Sequence, residues 1–313
     1  MSAVVSLLGA APVAGAWRLL TRGRLRVVAY HGVADSTAFA AQLDWLGERF
    51  NTVTAGQVAD ALHGGAALPP RAVWLTFDDG DITVVRNALP LLHERSMVAT
   101  AFLCGAWLDS AELPWWVTLE SAQREGLVQP ADTGHTDSLA VRLAVKRMPD
   151  AQRRAVIAAM AERLAAAGLT PEWPQWTTTD GLAWLAAGND LGNHSWDHPL
   201  LDQCDEAQQR HQVRAAHERL SNAFGRTCDV FAWPNGNPAP AAADELRQLG
   251  YRLVAECDHR LAARRPDASA LSRLRLDSDA APARVAAVLS GGHSAVFHMQ
   301  RRLRGMQDND AVT

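Results

Sequence analysis

Val73-Trp74-Leu75-Thr76-Phe77-Asp78-Asp79-Gly80 is an apolar run that ends abruptly in two adjacent carboxylates and a glycine. The run reads as a buried strand, and Gly80 as the sharp turn at its end. Two neighbouring acids at the mouth of a strand repel each other, a cost that a cation or a proton relieves. Asp and Gly are also common in ordinary solvated turns, so this stretch takes its meaning from what surrounds it.

Working outward, residues 26–30 read as a first strand, followed by His31-Gly32. Residues 36–50 have helical spacing, with Phe39, Leu43, Leu46 and Phe50 on one face. Thr54, with Gln57 three residues on, has the pattern of a capping box. Downstream, 82–95 reads as a helix that Pro90 is expected to bend, and 99–103 as the next strand. Strands alternating with helices predict a parallel α/β sheet or barrel.

Residues of about 115–176 break that rhythm with helices expected over 115–125, 138–147 and 151–167, the last with Asp150 as N-cap and Gly168 as C-cap. This is read as a helical insertion within one domain. Trp115, Trp116, Trp173 and Trp176 gather at its two ends, where they serve either core packing or a sugar-stacking platform. Alternation then resumes: helices over 179–187, 205–224, 241–249 and 283–289, and strands over 190–193, 230–232, 253–255, 274–276 and, last, 295–297. The resulting organisation is an N-terminal helical segment over 1–25, one domain over 26–300 and a polar tail over 301–313 that is expected to fray.

Composition narrows the function. The chain has 313 residues, 48% hydrophobic and 20% charged, with net charge −4. That is ordinary for a globular protein and long enough for an α/β barrel. No basic stretch gives a nucleic-acid footprint, so a neutral or small-molecule partner is expected. Cys104, Cys204, Cys228 and Cys257 show no paired spacing and read as buried thiols in a reducing compartment. The apolar segment 2–16 has no basic residue before it and runs into Arg22, Arg24 and Arg26. A packed or membrane-touching helix is therefore expected rather than a cleaved secretion signal, in a cytoplasmic protein with peripheral membrane association.

Two further stretches carry chemistry. His194-Ser195-Trp196-Asp197-His198 follows a predicted strand end, and its histidines, four apart, can reach one cation. In a parallel barrel all strand C-termini share one face, where active sites lie. One Asp and two His there suit Zn²⁺ or a similar divalent ion. His298 follows the predicted strand 295–297 and becomes a candidate general acid if it reaches the same face.

With these residues in view, the chain resembles the polysaccharide deacetylases, the nodulation-type or family-four carbohydrate esterases. The resemblance rests on Thr76-Phe77-Asp78-Asp79-Gly80, His194-Ser195-Trp196-Asp197-His198 and Val296-Phe297-His298, with Tyr30-His31-Gly32-Val33 as an opening motif. It covers about residues 26–300. It implies a distorted barrel of about seven β/α units and removal of an acetyl group from an N-acetylated sugar or glycan. It further implies Asp78 as general base, Asp79, His194 and His198 as metal ligands, and His298 as general acid. The cofactor expected is a divalent metal, Zn²⁺ first, with Co²⁺, Ni²⁺ and Mn²⁺ as alternatives.

Two positions depart from the family pattern. Its third motif, Arg-x-Pro-Tyr, is here Ala232-Trp233-Pro234-Asn235. Asn235 is expected to donate to an oxyanion, and Arg273 to orient Asp78 unless it is a surface charge. An Asp that tunes His298 could be Asp258 or Asp277, and His31 is expected to line the same face. His259 and His293 read as solvated loop residues. Two rival functions stand beside the deacetylase: hydrolysis of a non-sugar amide, and a catalytically silent carbohydrate-binding module.

Overall fold

A computed structural model describes residues 3–303, with side chains over 4–299. Eight strands form one all-parallel sheet: β1 (Arg26–Tyr30), β2 (Asn51–Thr52), β3 (Ala72–Phe77), β4 (Ala99–Leu103), β5 (Asp190–Asn193), β6 (Val230–Ala232), β7 (Leu253–Ala255) and β8 (Leu274–Arg275). Their order is β7-β6-β5-β4-β3-β1-β8, with β2 beside the start of β3. The curled sheet, ringed by helices, is the parallel barrel type expected from the sequence.

Every residue of β1, β3 and β4 is buried, which is why these strands read as continuous apolar runs. Alternation still sorts their side chains. Tyr30, Val73, Leu75 and Phe77 join the packing beneath the surrounding helices. Val27, Trp74, Phe102, Val230 and Leu253 form a separate cluster. Thr76 and Asp78 continue the file of Trp74, because positions two apart share a face. Period-2 geometry alone therefore carries Asp78 into the buried end of that file.

The segment before β8 joins the two ends of the sheet. Leu271 N donates to the β7 carbonyl of Val254 at 2.8 Å, and Leu274 and Arg275 stand in register with Val28 and Ala29 of β1. Arg273 sits inside this closing segment.

Most predicted helices form within a residue or two of expectation, including the Thr54–Gln57 capping box. Around Pro90 the helix widens rather than simply bending: Val84–Ala88 is a π turn in which Leu89 N donates to Val84 O. Asp150 is the first residue of the helix Asp150–Ala166 rather than its cap, and its carboxylate turns instead to Arg153 and Arg154. The insertion has its own apolar core around Trp115, Leu119, Val141, Val145, Met160 and Leu164.

The predicted last strand is not one. Residues 295–297 lie in the helix Gly292–Leu303, which follows a turn at Gly291 with φ 85°. Ala-Val-Phe is too short to distinguish strand from helix by composition. The sheet ends are already joined, so Val296 packs instead against Val5, Leu8 and Ala287. The N-terminal helices Ala3–Gly9 and Ala11–Leu20 lie on the helix Pro282–Ser290 so closely that a Cβ on Gly9 would collide with the backbone of Ala283. Of the expected tail, residues 304–313 lie outside the described residues.

Candidate active site and metal centre

The strand C-termini bring three of the expected ligands together. Asp79 Oδ1 lies 3.2 Å from His194 Nε2 and 3.3 Å from His198 Nε2. These three residues form the one cluster of metal-ligating type among the described residues. His31 stands at its edge, half exposed, with Nε2 4.0 Å from Asp79 Oδ2.

His194 Nδ1 meets the carbonyl of Ala232 at 2.8 Å. A carbonyl only accepts, so Nδ1 carries the proton and the Nε2 lone pair faces Asp79. Asp79 Oδ1 is buried and has no hydrogen-bond partner among the described residues, and the same holds for His198 Nδ1. An orphaned carboxylate oxygen between two imidazole nitrogens fits a divalent cation.

The electrostatics point the same way. Burial alone would raise the Asp79 carboxyl, but His198, His194 and His31 together hold it well below the carboxylate range. Burial works against a charge on His194, yet Asp78 and Asp79 more than offset it and raise its pKa. What favours a proton there favours a divalent cation. His198 is pushed down by burial to about 4, so it is a neutral imidazole at neutral pH.

Asp78 is buried beside this cluster and is held by Arg273. Nη1 and Nη2 donate to Oδ1 and Oδ2 at 2.7 and 2.8 Å, a two-point clamp. Arg273 is itself fully buried, donating also to the Glu256 carbonyl and to Thr76 Oγ1, with its guanidinium over the Phe102 ring. Burial would raise the Asp78 carboxyl, but Arg273 and then His194 outweigh it and hold it below its ordinary value. Of the two readings of Arg273, the structure has the buried partner of Asp78 and not the surface charge. The closing segment, 195 residues from Asp78, points this side chain inward. Asp258 braces that segment, accepting from Ser272 Oγ at 2.9 Å and Arg273 N at 3.3 Å. Asp277 is exposed, and its backbone carbonyl accepts from Gln42.

The histidine loop is held from both sides. Asn193 Oδ1 accepts from Ser195 N, and Ser195 Oγ from His198 N. Asp197 receives two hydrogen bonds from Arg154 of the insertion, at 2.6 and 3.0 Å, and one from Gln212. Trp115 donates to the His198 carbonyl, and Trp116 meets the His198 ring edge-on at 4.9 Å between centroids. Trp115 and Trp176 are buried, as packing residues are, whereas Trp116 and Trp173 are half-buried. Asp79, Ser195, His198 and Asn235 all have φ between 55° and 75°, a left-handed backbone that non-glycine residues adopt at a cost.

The Trp233-Pro234-Asn235 turn faces the insertion. Asn235 Oδ1 accepts from Lys146 Nζ at 3.0 Å. Burial, then Arg142 and Arg275, lower the Lys146 pKa, against the pull of Asp79 and Cys257. Sequence reasoning passed over Lys146, although the signal was in the composition: it is the only lysine among 30 basic residues.

His298 does not join this group. It rides on the helix Gly292–Leu303, with Nε2 3.4 Å from the carbonyl of His259. The strand end that would have carried it to the mouth does not exist. His259 and His293 are not solvated either. Arg275 N donates to His259 Nδ1 at 3.1 Å, which leaves His259 Nε2 to donate to His293 Nδ1 at 2.8 Å. Burial pushes them down to about 2 and about 4. His259 does lie in a loop, but one that folds inward against Phe297, and His293 stands in the first turn of the helix Gly292–Leu303 rather than in a loop. All four cysteines are free thiols, three of them buried and Cys257 half-buried.

A parallel barrel with acids and histidines converging at its strand C-termini is of the kind that hosts hydrolytic sites. Residues 65–254 match the polysaccharide deacetylase family, and the chain belongs to that family. It is 26% identical over 247 residues to the poly-beta-1,6-N-acetyl-D-glucosamine N-deacetylase of Escherichia coli (strain K12), covering 72% of this chain and 33% of that protein. The chain thus spans about a third of the length of the curated relatives it matches. In fold it is similar to the Streptococcus pyogenes deacetylase PplD in complex with acetate, with TM-score 0.59 and 16% identity over 85% of this chain and 98% of that one. It is likewise similar to IcaB from Ammonifex degensii, with TM-score 0.59 and 22% identity over 85% and 97%.

Proposed function

We propose that the protein removes the acetyl group from an N-acetylated hexosamine polymer, taking up water and releasing acetate and a free amine. One observation carries the reading: the Asp79–His194–His198 cluster stands beside a second carboxylate, Asp78, that is ionised and clamped. The curated relatives named for an N-acetylglucosamine polymer favour a sugar over a simple amide. So do the half-buried Trp116 and Trp173 near the site, whose faces suit a sugar ring.

Asp79, His194 and His198 would hold a divalent cation, which when bound supplies a Lewis acid for the acetamide carbonyl and lowers the pKa of water. Asp78 accepts the proton that the attacking water loses. Its clamp by Arg273 uses one lone pair on each oxygen and leaves the others for this transfer. Lys146 delivers a proton to the departing amine nitrogen, and Asn235 fixes the ammonium on the site side of the insertion. A lysine whose pKa is depressed gives up a proton more readily than an ordinary one. His298, placed on the outer helix, is replaced in this role.

The test pairs metal content with acetate release from a β-linked N-acetylglucosamine oligomer. Wild-type protein is expected to hold about one divalent ion and release acetate. Asp79→Ala and His194→Ala should lose both, and Asp78→Asn should keep the metal while turnover falls roughly 10²–10⁴-fold. Metal-loaded protein that binds the oligomer but frees no acetate from it or from simple acetamides would establish the binding module. Turnover confined to simple acetamides would establish the non-sugar amidase.

A further inference from the structure

At the opposite end of the barrel, where the strands begin, a cavity of about 710 Å³ is lined by Arg18, Arg22, Arg26, Arg49, Arg71 and Leu19 among others. Arg26 opens β1, Arg71 immediately precedes β3, and Arg18 and Leu19 come from the helix Ala11–Leu20. Arg18 and Arg49 converge on one indole, with guanidinium carbons 5.7 and 4.7 Å from the Trp45 ring centroid.

Five cations gather here with little to neutralise them. Arg26 is buried and donates only to neutral acceptors: the carbonyls of Thr21, Arg24 and Leu289 and the Thr21 hydroxyl. Arg49 has a carboxylate partner, the exposed Glu48. Arg18, Arg22 and Arg71 form no ion pair among the described residues. Burial, then Arg49, makes Arg18 more acidic than usual, and burial, then Arg24 and Arg18, pushes Arg26 down to about 10. A concave cluster of repelling cations is relieved by a bound anion with several acceptor oxygens.

The surface beside the cavity narrows the choice of anion. Leu19, which lines it, and Leu20 are 65% and 71% exposed at the end of the same helix. A soluble anion has no use for bare leucines at its doorway. We propose that the cavity receives the phosphate of an anionic lipid headgroup, with Leu19 and Leu20 entering the boundary between headgroups and acyl chains. No helix of the described residues is long and apolar enough to cross a membrane. β3 alone separates Arg71 from Asp78 and Asp79, a span of roughly 20 Å at a strand's rise per residue. Docking by this end keeps the catalytic mouth off the surface and open to a polymer.

The full chain is sedimented with phosphatidylcholine vesicles, with and without phosphatidylglycerol, at low and high salt. Binding is expected only to the mixed vesicles and should weaken with salt. An Arg18→Gln/Arg22→Gln variant should bind them about tenfold or more weakly. A Leu19→Ser/Leu20→Ser variant should also lose affinity, with its charges intact. Acetate release from a soluble oligomer should be unchanged in both variants, which shows that they fold. Equal binding to both vesicle types, or undiminished binding by the arginine variant, would overturn the proposal. So would vesicle-free protein whose melting temperature inorganic phosphate raises, in a manner dependent on Arg18 and Arg22, while mixed vesicles fail to bind.

Discussion

The two ends of this barrel treat charge in opposite ways. At the mouth, Asp78 meets the guanidinium of Arg273 and Asp197 that of Arg154, while Asp79 faces the imidazole nitrogens of His194 and His198. At the base, arginines crowd one cavity and Arg26 is satisfied by neutral carbonyls and one hydroxyl alone. The backbone is the same parallel ladder at both ends. The difference lies in what each site awaits. Matched charges hold a reacting geometry before any substrate arrives, and unmatched ones are complete only with a ligand.

The sharpest way to break the contrast is to unmatch the mouth. Arg273→Leu leaves Asp78 buried without a counter-charge and should cost about 3–5 kcal/mol in urea unfolding. The sign with pH is fixed by the direction of the Asp78 shift. Its folded pKa is depressed, so the pairing stabilises at neutral pH and is lost as pH falls through that lowered value. The variant should therefore lose part of the wild type's acid-induced decline in stability. A variant as stable as wild type at pH 7 would show that the clamp is not what keeps Asp78 buried.

Lys146 gives the next largest effect. Lys146→Met should lower kcat roughly 10²-fold or more with metal content unchanged. Because its pKa is lowered, the alkaline limb of the wild-type profile should come earlier than an ordinary lysine would give, and Lys146→Arg should move it upward. His298→Ala, on the outer helix, should leave kcat within about threefold; a loss as large as that of Lys146→Met would return the acid role to His298.

Arg154→Ala is the mildest break. Its side chain is half exposed, so stability should fall by only about 1 kcal/mol. Metal affinity should fall further, because the Asp197 contact ties the histidine loop to the insertion. Unchanged affinity would make the insertion a wall rather than a brace.

Much of this was legible in the chain. The apolar run that ends in Asp78 and Asp79 and the i,i+4 pair His194 and His198 are local patterns, and both survive folding. The capping signal at Thr54 did as well. The failures share a cause. Residues 295–297 and His259 were read from their neighbours in sequence, while their state was set by segments far away. A chain cannot show that its sheet has already been joined elsewhere.

The sequence by itself determined the parallel α/β alternation, the acids at the end of β3 and the histidine loop, because backbone periodicity and short spacings are properties of adjacent residues. Tertiary structure decided which cation clamps Asp78, which side chain of the insertion meets Asn235, and that scattered arginines would share one cavity. Those pairings join residues 195 and 89 positions apart, or in the cavity's case several separate segments, and only closure of the barrel brings them within reach.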